Sequence, residues 1–323
     1  MLIRTVSQIA RLVALAVAML VLVVPASARA QPSDYAQTDA PIILVHGGLG
    51  TSQYLGLADY FYGIPDDLRS HGAEVFVVHL SAVNGEGPDR RGGQLVQWMQ
   101  DFMVVNGPSR FNLIGHSMGG LSSRYAATVL PENVASVTTI GTPHKGMELF
   151  DFTGEQPVPV QLALIAALNL MGYAIGVTSG QPLPQDAAAL QQQLSTEGSA
   201  AYNAMYPSAG LPADCTGPTA EVDVRNGETQ LLYSWTGNAS ATNVLDPSDL
   251  VFVPVGLLIE SRNGGSHDGF VSVCSARFGK ELGIYDWNHF DEVNQILGLR
   301  GLWSADPVAV IRQHANRLKL AGL

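Results

Sequence analysis

Phe111-Asn112-Leu113-Ile114-Gly115-His116-Ser117-Met118-Gly119-Gly120 decides how this chain folds. Its first half is an apolar, β-branched strand run. Its second half is a Gly-x-Ser-x-Gly turn that leads directly into helix-forming sequence closed by Pro131. A serine carried on a tight strand-to-helix turn needs neighbours without a Cβ, because strand and helix backbones must pass close to it. The pentapeptide alone carries little weight in a chain with 34 glycines among 323 residues. The strand before it and the helix after it give it meaning, and they mark Ser117 as a nucleophile.

Working outward, short apolar runs at 41–45, 74–80, 111–114 and 134–140 alternate with helical stretches at 58–71, 93–105 and 121–130. That alternation predicts a parallel sheet covered on both faces, an α/β fold. Ligands bind beyond the carboxyl ends of such strands. His46-Gly47-Gly48, Ser117 and Gly141-Thr142-Pro143-His144 stand at those ends. From about 150 to 210 the alternation gives way to an insertion. Within it, 160–177 has Gln161 and Asn169 as its only clearly polar side chains. A core helix, a membrane span and a mobile lid all fit an apolar run. The span is disfavoured by length and by Gly172 and Gly176. Pro157, Pro159, Gly176 and Gly180 are placed to hinge the segment, so a helical lid over an apolar site is expected.

Residues 1–30 read as a secretory signal peptide: Arg4 and Arg11, an apolar run over 12–24, then Pro25 and Ala28-Arg29-Ala30. The run is too short for a membrane anchor. Residues 31–323 are expected to form a single α/β domain bearing the insertion. With a formal charge of −11 and only 17 Lys plus Arg, nucleic acid is a poor partner. In an exported chain the two cysteines, Cys215 and Cys274, are expected to pair.

An activated serine needs a base within hydrogen-bond reach and an acid to orient that base. On this fold the order is serine, acid, histidine. His144 precedes any plausible acid, and His314 sits in a C-terminal helical run, which leaves His289 first and His267 second. Asp268-Gly269 follows a turn-rich stretch, and Asp268 lies six residues before Cys274. It serves as the candidate acid, although Asp-Gly is also an ordinary turn, and Asp246 and Asp286 stay open. The oxyanion donors are expected from the N–H of Met118, which follows the nucleophile, and of Gly48, after the first strand.

These residues, with Phe61-Tyr62-Gly63-Ile64-Pro65, Arg91-Gly92-Gly93-Gln94-Leu95, Pro143-His144-Lys145-Gly146, Tyr233-Ser234-Trp235, Leu245-Asp246-Pro247-Ser248-Asp249, the run from Asn288 to Gln295 and Arg312 to Leu318, make a pattern spanning nearly the whole mature chain. The pattern resembles the secreted, foldase-dependent bacterial true lipases of the Pseudomonas and Burkholderia type. The resemblance implies the α/β-hydrolase fold and triacylglycerol hydrolysis at a lipid–water interface. It implies Ser117, Asp268 and His289 as triad, Gly48 and Met118 at the oxyanion hole, and a Cys215–Cys274 disulfide. It further implies one structural Ca²⁺ held by the carboxylates of Asp246 and Asp291 and the carbonyls of Gln295 and Leu299, an oxygen set suited to a hard cation. A lipase-specific foldase is the implied partner. Apart from the resemblance, Asp246-Pro247 reads as a helix start, with Asp as N-cap. The chain departs from the pattern at Gly48, where a larger residue is expected, at Met118, where His or Gln is usual, and throughout the insertion. An esterase or polyester depolymerase is the neighbouring alternative, and a non-catalytic binding protein of the same fold would need a broken triad.

Overall fold

Four consecutive aliphatic residues, Ile42–Val45, form the first strand, β1, and all four are buried. A continuous apolar run of that kind needs cover on both faces. Ile42 and Leu44 point into one core with Ile114, Ile140 and Trp235, while Ile43 and Val45 join Leu113, Val137 and Leu232 on the other side. The computed structural model describes residues 33–323 apart from Gly56, Pro108 and Gly264. The signal-peptide reading of 1–30 therefore lies outside the described residues.

In chain order, β1 is followed by β2 (Gln53–Tyr54), β3 (Ala58–Asp59), α1 (Ile64–Ser70), β4 (Val75–Val78), α2 (Arg91–Asn106), β5 (Phe111–His116), α3 (Met118–Val129) and β6 (Val134–Ile140). The insertion carries α4 (Glu148–Gly154), α5 (Val158–Thr178), α6 (Ala187–Leu194) and α7 (Thr196–Met205). The chain then returns through β7 (Val222–Arg225), β8 (Glu228–Gly237), α8 (Asp249–Asn263), α9 (Val273–Ala276), β9 (Lys280–Tyr285) and α10 (Pro307–Leu320). The sheet runs β4-β1-β5-β6-β8, and β7 and β9 share the far edge of β8. Every pairing in it is parallel except β7 with β8. Helices α1 and α10 cover one face through Ile64, Leu68, Ile311 and Ala315. Helices α2 and α3 cover the other through Leu95, Met99, Ala126 and Ala127.

Two expectations need correction. The helix read over 58–71 is shorter: Ala58–Asp59 pairs antiparallel with Gln53–Tyr54, and α1 begins only at Ile64. The cause is Gly63, which takes φ 73° at the N-cap, followed by Pro65 in the first turn. Nor does Asp246 cap a helix. It accepts from Ser248 N–H at 2.8 Å in a turn of its own, and α8 starts at Asp249.

Helix α5 is apolar on nearly all sides, yet only Gly172 and Gly176 along it are buried. Leu162, Leu170 and Tyr173 are more than half exposed, at 61%, 69% and 62%. It is long and apolar enough to cross a membrane by length and composition. Cys215 and Cys274 are joined in a disulfide with Cα atoms 4.8 Å apart, closing a loop across a sequence separation of 59. In the chain-entropy picture such a loop stabilises by about 4 kcal/mol.

Candidate active site

β5 ends and α3 begins at Ser117, whose φ 54° and ψ −127° lie outside the regions open to most L-residues. Such a conformation costs about 1–3 kcal/mol and persists only where packing over-determines it. Two glycines supply that packing. A Cβ on Gly119 would lie 2.0 Å from the Val45 carbonyl oxygen, and one on Gly115 would lie 2.3 Å from Gly119 itself. The strained serine is thus clamped between β1 and α3, and it is only 6% exposed.

His289 and Asp268 meet. Nδ1 of His289 lies 2.6 Å from Asp268 Oδ2, and both side chains are buried. The other Asp268 oxygen accepts from the N–H groups of Phe270 and Val271 at 2.8 and 2.6 Å. The acid is thereby fixed at both oxygens. The His289 ring lies 4.6 Å from that of His116, the residue just before Ser117, and 5.3 Å from Phe270. The alternatives go elsewhere. His267 lies 3.4 Å from Glu260 and accepts from Gly269 N–H. His144 is buried beside Arg124, His314 is buried against Thr138, and Asp286 is exposed.

Sequence reasoning assigned no role to the residues that tie these parts together. Gly47 N–H donates to the Tyr60 hydroxyl at 3.0 Å, and that hydroxyl contacts His116 Nδ1 at 2.6 Å. His116 Nε2 lies 2.9 Å from the His289 carbonyl oxygen. Burial, reinforced by His289, holds His116 well below the usual imidazole range, so its ring is neutral. The consistent tautomer has Tyr60 donating to Nδ1 and Nε2–H donating to His289. Glu292 Oε2 lies 3.2 Å from His116 Nε2 and 3.9 Å from His289 Nδ1. Its other oxygen accepts from Gly237 N–H at 2.5 Å. Burial, then the neighbouring Asp268 charge, push the Glu292 carboxyl well above its usual range, which favours its neutral form. His116, His289 and Glu292 bring one ligand atom each within 4.8 Å. Those atoms already serve this hydrogen-bonded network, and no metal is needed to explain them. The signal for Glu292 was its spacing: it stands at i+3 from His289.

Gly48 and Met118 face each other. A Cβ on Gly48 would lie 3.2 Å from the Met118 sulfur, so the missing side chain at 48 makes room for the thioether at 118. The two residues line a 270 Å³ cavity together with Leu49, Leu149, Phe150, Leu164, Leu168, Leu190, Leu194 and Phe270. Two of those residues, Leu164 and Leu168, come from α5. The cavity suits an extended apolar chain.

The candidate cation ligands are brought together in part. Asp246 and Asp249 both accept from the Asn288 amide, at 3.2 and 3.0 Å. Asp291 Oδ2 is 3.4 Å from Asn288 N, while its Oδ1 is buried with no hydrogen-bond partner. Burial pushes the Asp291 carboxyl up to about 7, and Asp246 and Asp249 add to the shift. Among the described residues, no lysine or arginine pairs with any of the three. Gln295 is buried, its amide donating to the Tyr54 hydroxyl at 2.9 Å, and Leu299 is half-buried, its N–H donating to the Ile296 carbonyl. An orphaned buried carboxylate oxygen beside two further carboxylates is a donor set for a hard cation.

Residues 40–159 match the family model of the α/β-hydrolase fold. The chain is 44% identical to a triacylglycerol lipase of Pseudarthrobacter phenanthrenivorans over 320 residues, covering 90% of this chain and 99% of that one. It is also 44% identical to a triacylglycerol lipase of Burkholderia plantarii, covering 90% of this chain and 88% of that one. The crystal structure of mature Bacillus licheniformis lipase BlEst2 superposes with a TM-score of 0.52 at 18% identity, over 80% of this chain and 88% of that one. At that identity the likeness concerns the fold alone.

Proposed function

This chain belongs to the bacterial triacylglycerol lipases of the α/β-hydrolase superfamily, and from that premise we propose that it is a secreted lipase acting through a Ser117-His289-Asp268 acyl-enzyme. The observation that carries the mechanism is the 2.6 Å contact between His289 Nδ1 and Asp268 Oδ2, with the His289 ring 4.6 Å from that of His116, the residue before the strained Ser117. His289 Nε2 takes the Ser117 proton as Oγ attacks the ester carbonyl, and Asp268 holds the tautomer and stabilises the imidazolium. The N–H groups of Gly48 and Met118 receive the developing oxyanion. Both are available: among the described residues neither amide has another backbone acceptor. The alcohol leaves with the proton returned by His289, and water repeats the cycle on the acyl-enzyme.

The acyl chain fits the cavity behind Gly48 and Met118, and α5 is the lid. Its exposed Leu162, Leu170 and Tyr173 face away from the protein, as a surface that meets lipid requires. A single Ca²⁺ would be held by Asp246 and Asp291 with the carbonyls of Gln295 and Leu299. It would supply charge to the unpartnered Asp291 oxygen and brace the loop that carries His289. No step of the chemistry passes through it. The pattern of residues 1–30 adds the signal peptide, and the resemblance adds a lipase-specific foldase.

The test is hydrolysis of emulsified long-chain triacylglycerol beside a soluble short-chain ester, with Ca²⁺ and after chelation, on wild type and Ser117→Ala. Loss of both activities in Ser117→Ala, with wild type preferring the emulsion and losing that activity on chelation, supports the reading. Preference for the soluble ester, indifferent to chelator, turns it to an esterase or polyester depolymerase. Activity surviving in Ser117→Ala refutes the mechanism.

A further inference from the structure

We propose that the buried Arg91–Glu86 pair is a positioning device that holds the two halves of the oxyanion hole in register; this rests on the Ser117 mechanism above. Arg91, at the start of α2, is wholly buried. Its Nη2 donates to the His46 carbonyl at 2.5 Å and its Nη1 to the Ser81 carbonyl. The segment it grips from both sides is the one that presents Gly48: Leu49 N–H donates to the Ala82 carbonyl at 2.6 Å, and Leu80 N–H donates to His46 Nε2 at 3.0 Å. One planar guanidinium thus fixes the carbonyls flanking the first donor.

The second donor is reached through the partner charge. Glu86 lies 3.5 Å from Arg91 Nε and accepts from the Ser122 hydroxyl at 2.7 Å. Ser122 sits one turn into α3, and the single proton of its hydroxyl is shared: it goes mainly to Glu86, with the Met118 carbonyl 3.3 Å away as a weaker second acceptor. One connected path therefore runs from the His46 carbonyl through Arg91, Glu86 and Ser122 to Met118. Its ends are the peptides next to the two N–H donors. A buried ion pair is a poor device for stability alone, since an apolar pair of equal volume often does as well. Its value lies in direction: the two Nη groups of Arg91 and the one Glu86 oxygen that meets Nε and Ser122 set the spacing of groups that dispersion contacts would leave loose.

The experiment compares Glu86→Gln, Arg91→Lys and Ser122→Ala with wild type on a soluble short-chain ester at about pH 8.5, where Glu86 is ionised. The concentration of active sites is counted by exhaustive phosphonate labelling of Ser117. Losing an oxyanion donor outright costs about 10²–10³ in kcat, so a donor held slightly out of place should cost less. Glu86→Gln and Arg91→Lys should lower kcat per active site about 10- to 100-fold with KM within about twofold, because the oxyanion exists only in the transition state. Ser122→Ala, which leaves the charge pair intact, should lower kcat about 3- to 10-fold with an unchanged melting temperature, and it carries the test if the charge variants fail to fold. Unchanged kcat in Ser122→Ala, or a rise in KM at constant kcat in any variant, overturns the proposal. Activity of Ser117→Ala would instead overturn the reading beneath it.

Discussion

Replacing Glu86 by Gln should reshape the pH dependence of stability by an amount that follows from its burial. The carboxyl is fully enclosed between α2 and α3, and burial lifts it from 4.5 to about 7. The Arg91 charge, the Ser122 hydroxyl and the Gly92 amide pull it down without offsetting that penalty. Between those two values the folded chain keeps a proton that the unfolded chain has lost. Stability from this group is therefore fully present below about pH 4.5 and is lost as pH rises through about 7. Lifting the carboxyl from 4.5 to about 7 corresponds to about 3 kcal/mol. Glutamine cannot titrate, so the difference in unfolding free energy between variant and wild type should move by about 3 kcal/mol across that window. The constant offset, which includes the cost of leaving Arg91 without its counter-charge, does not enter the slope. Urea unfolding of both proteins at several pH values from about 4.5 to 8, disulfide intact, measures the difference curve. A difference flat to within about 1 kcal/mol would show that Glu86 titrates normally and is hydrated, and the reasoning from burial would fail.

Asp268→Asn should leave the fold intact and cut kcat by about 10⁴, because the amide imposes the wrong tautomer on His289; single-turnover acylation of Ser117 checks this. Gly119→Ala should abolish soluble folded protein, since its Cβ would sit 2.0 Å from a backbone carbonyl, whereas Gly48→Ala meets only the flexible Met118 sulfur at 3.2 Å and should fold normally; yield and melting temperature of the two separate the cases. Replacing Cys215 and Cys274 by serine should destabilise by about 4 kcal/mol, read as a lower urea midpoint. Leu170→Asp, at a 69% exposed position on α5, should reduce hydrolysis of emulsions and spare the soluble ester.

What was legible in the sequence is what the backbone imposes locally. The glycines around Ser117 announce their own necessity, since strand, turn and helix are contiguous in the chain and their crowding is a property of neighbours. The continuous apolar run of β1 likewise declares a sheet covered on both sides. The helix expected over 58–71 is shortened for a local reason too: Gly63 and Pro65, both plain in the sequence, set its start at Ile64. Long-range pairings were of another kind. Spacing left His267 beside His289, and Asp246 and Asp286 beside Asp268, because order along the chain says nothing of where two loops meet. The Asp268–His289 pair, 21 residues apart, depends on β9 delivering the second loop next to the first. Glu292, Glu86, Arg91, Tyr60 and His116 escaped altogether, for a physical reason. A buried charge or a neutral buried acid is costly in isolation, so its presence makes sense only once its partners are known. Those partners lie 36 residues away for Glu86 with Ser122 and 56 for Tyr60 with His116. Polar groups that look expendable in the chain are therefore where the folded protein has most to reveal, because the cost of burying them has to be offset by what they hold.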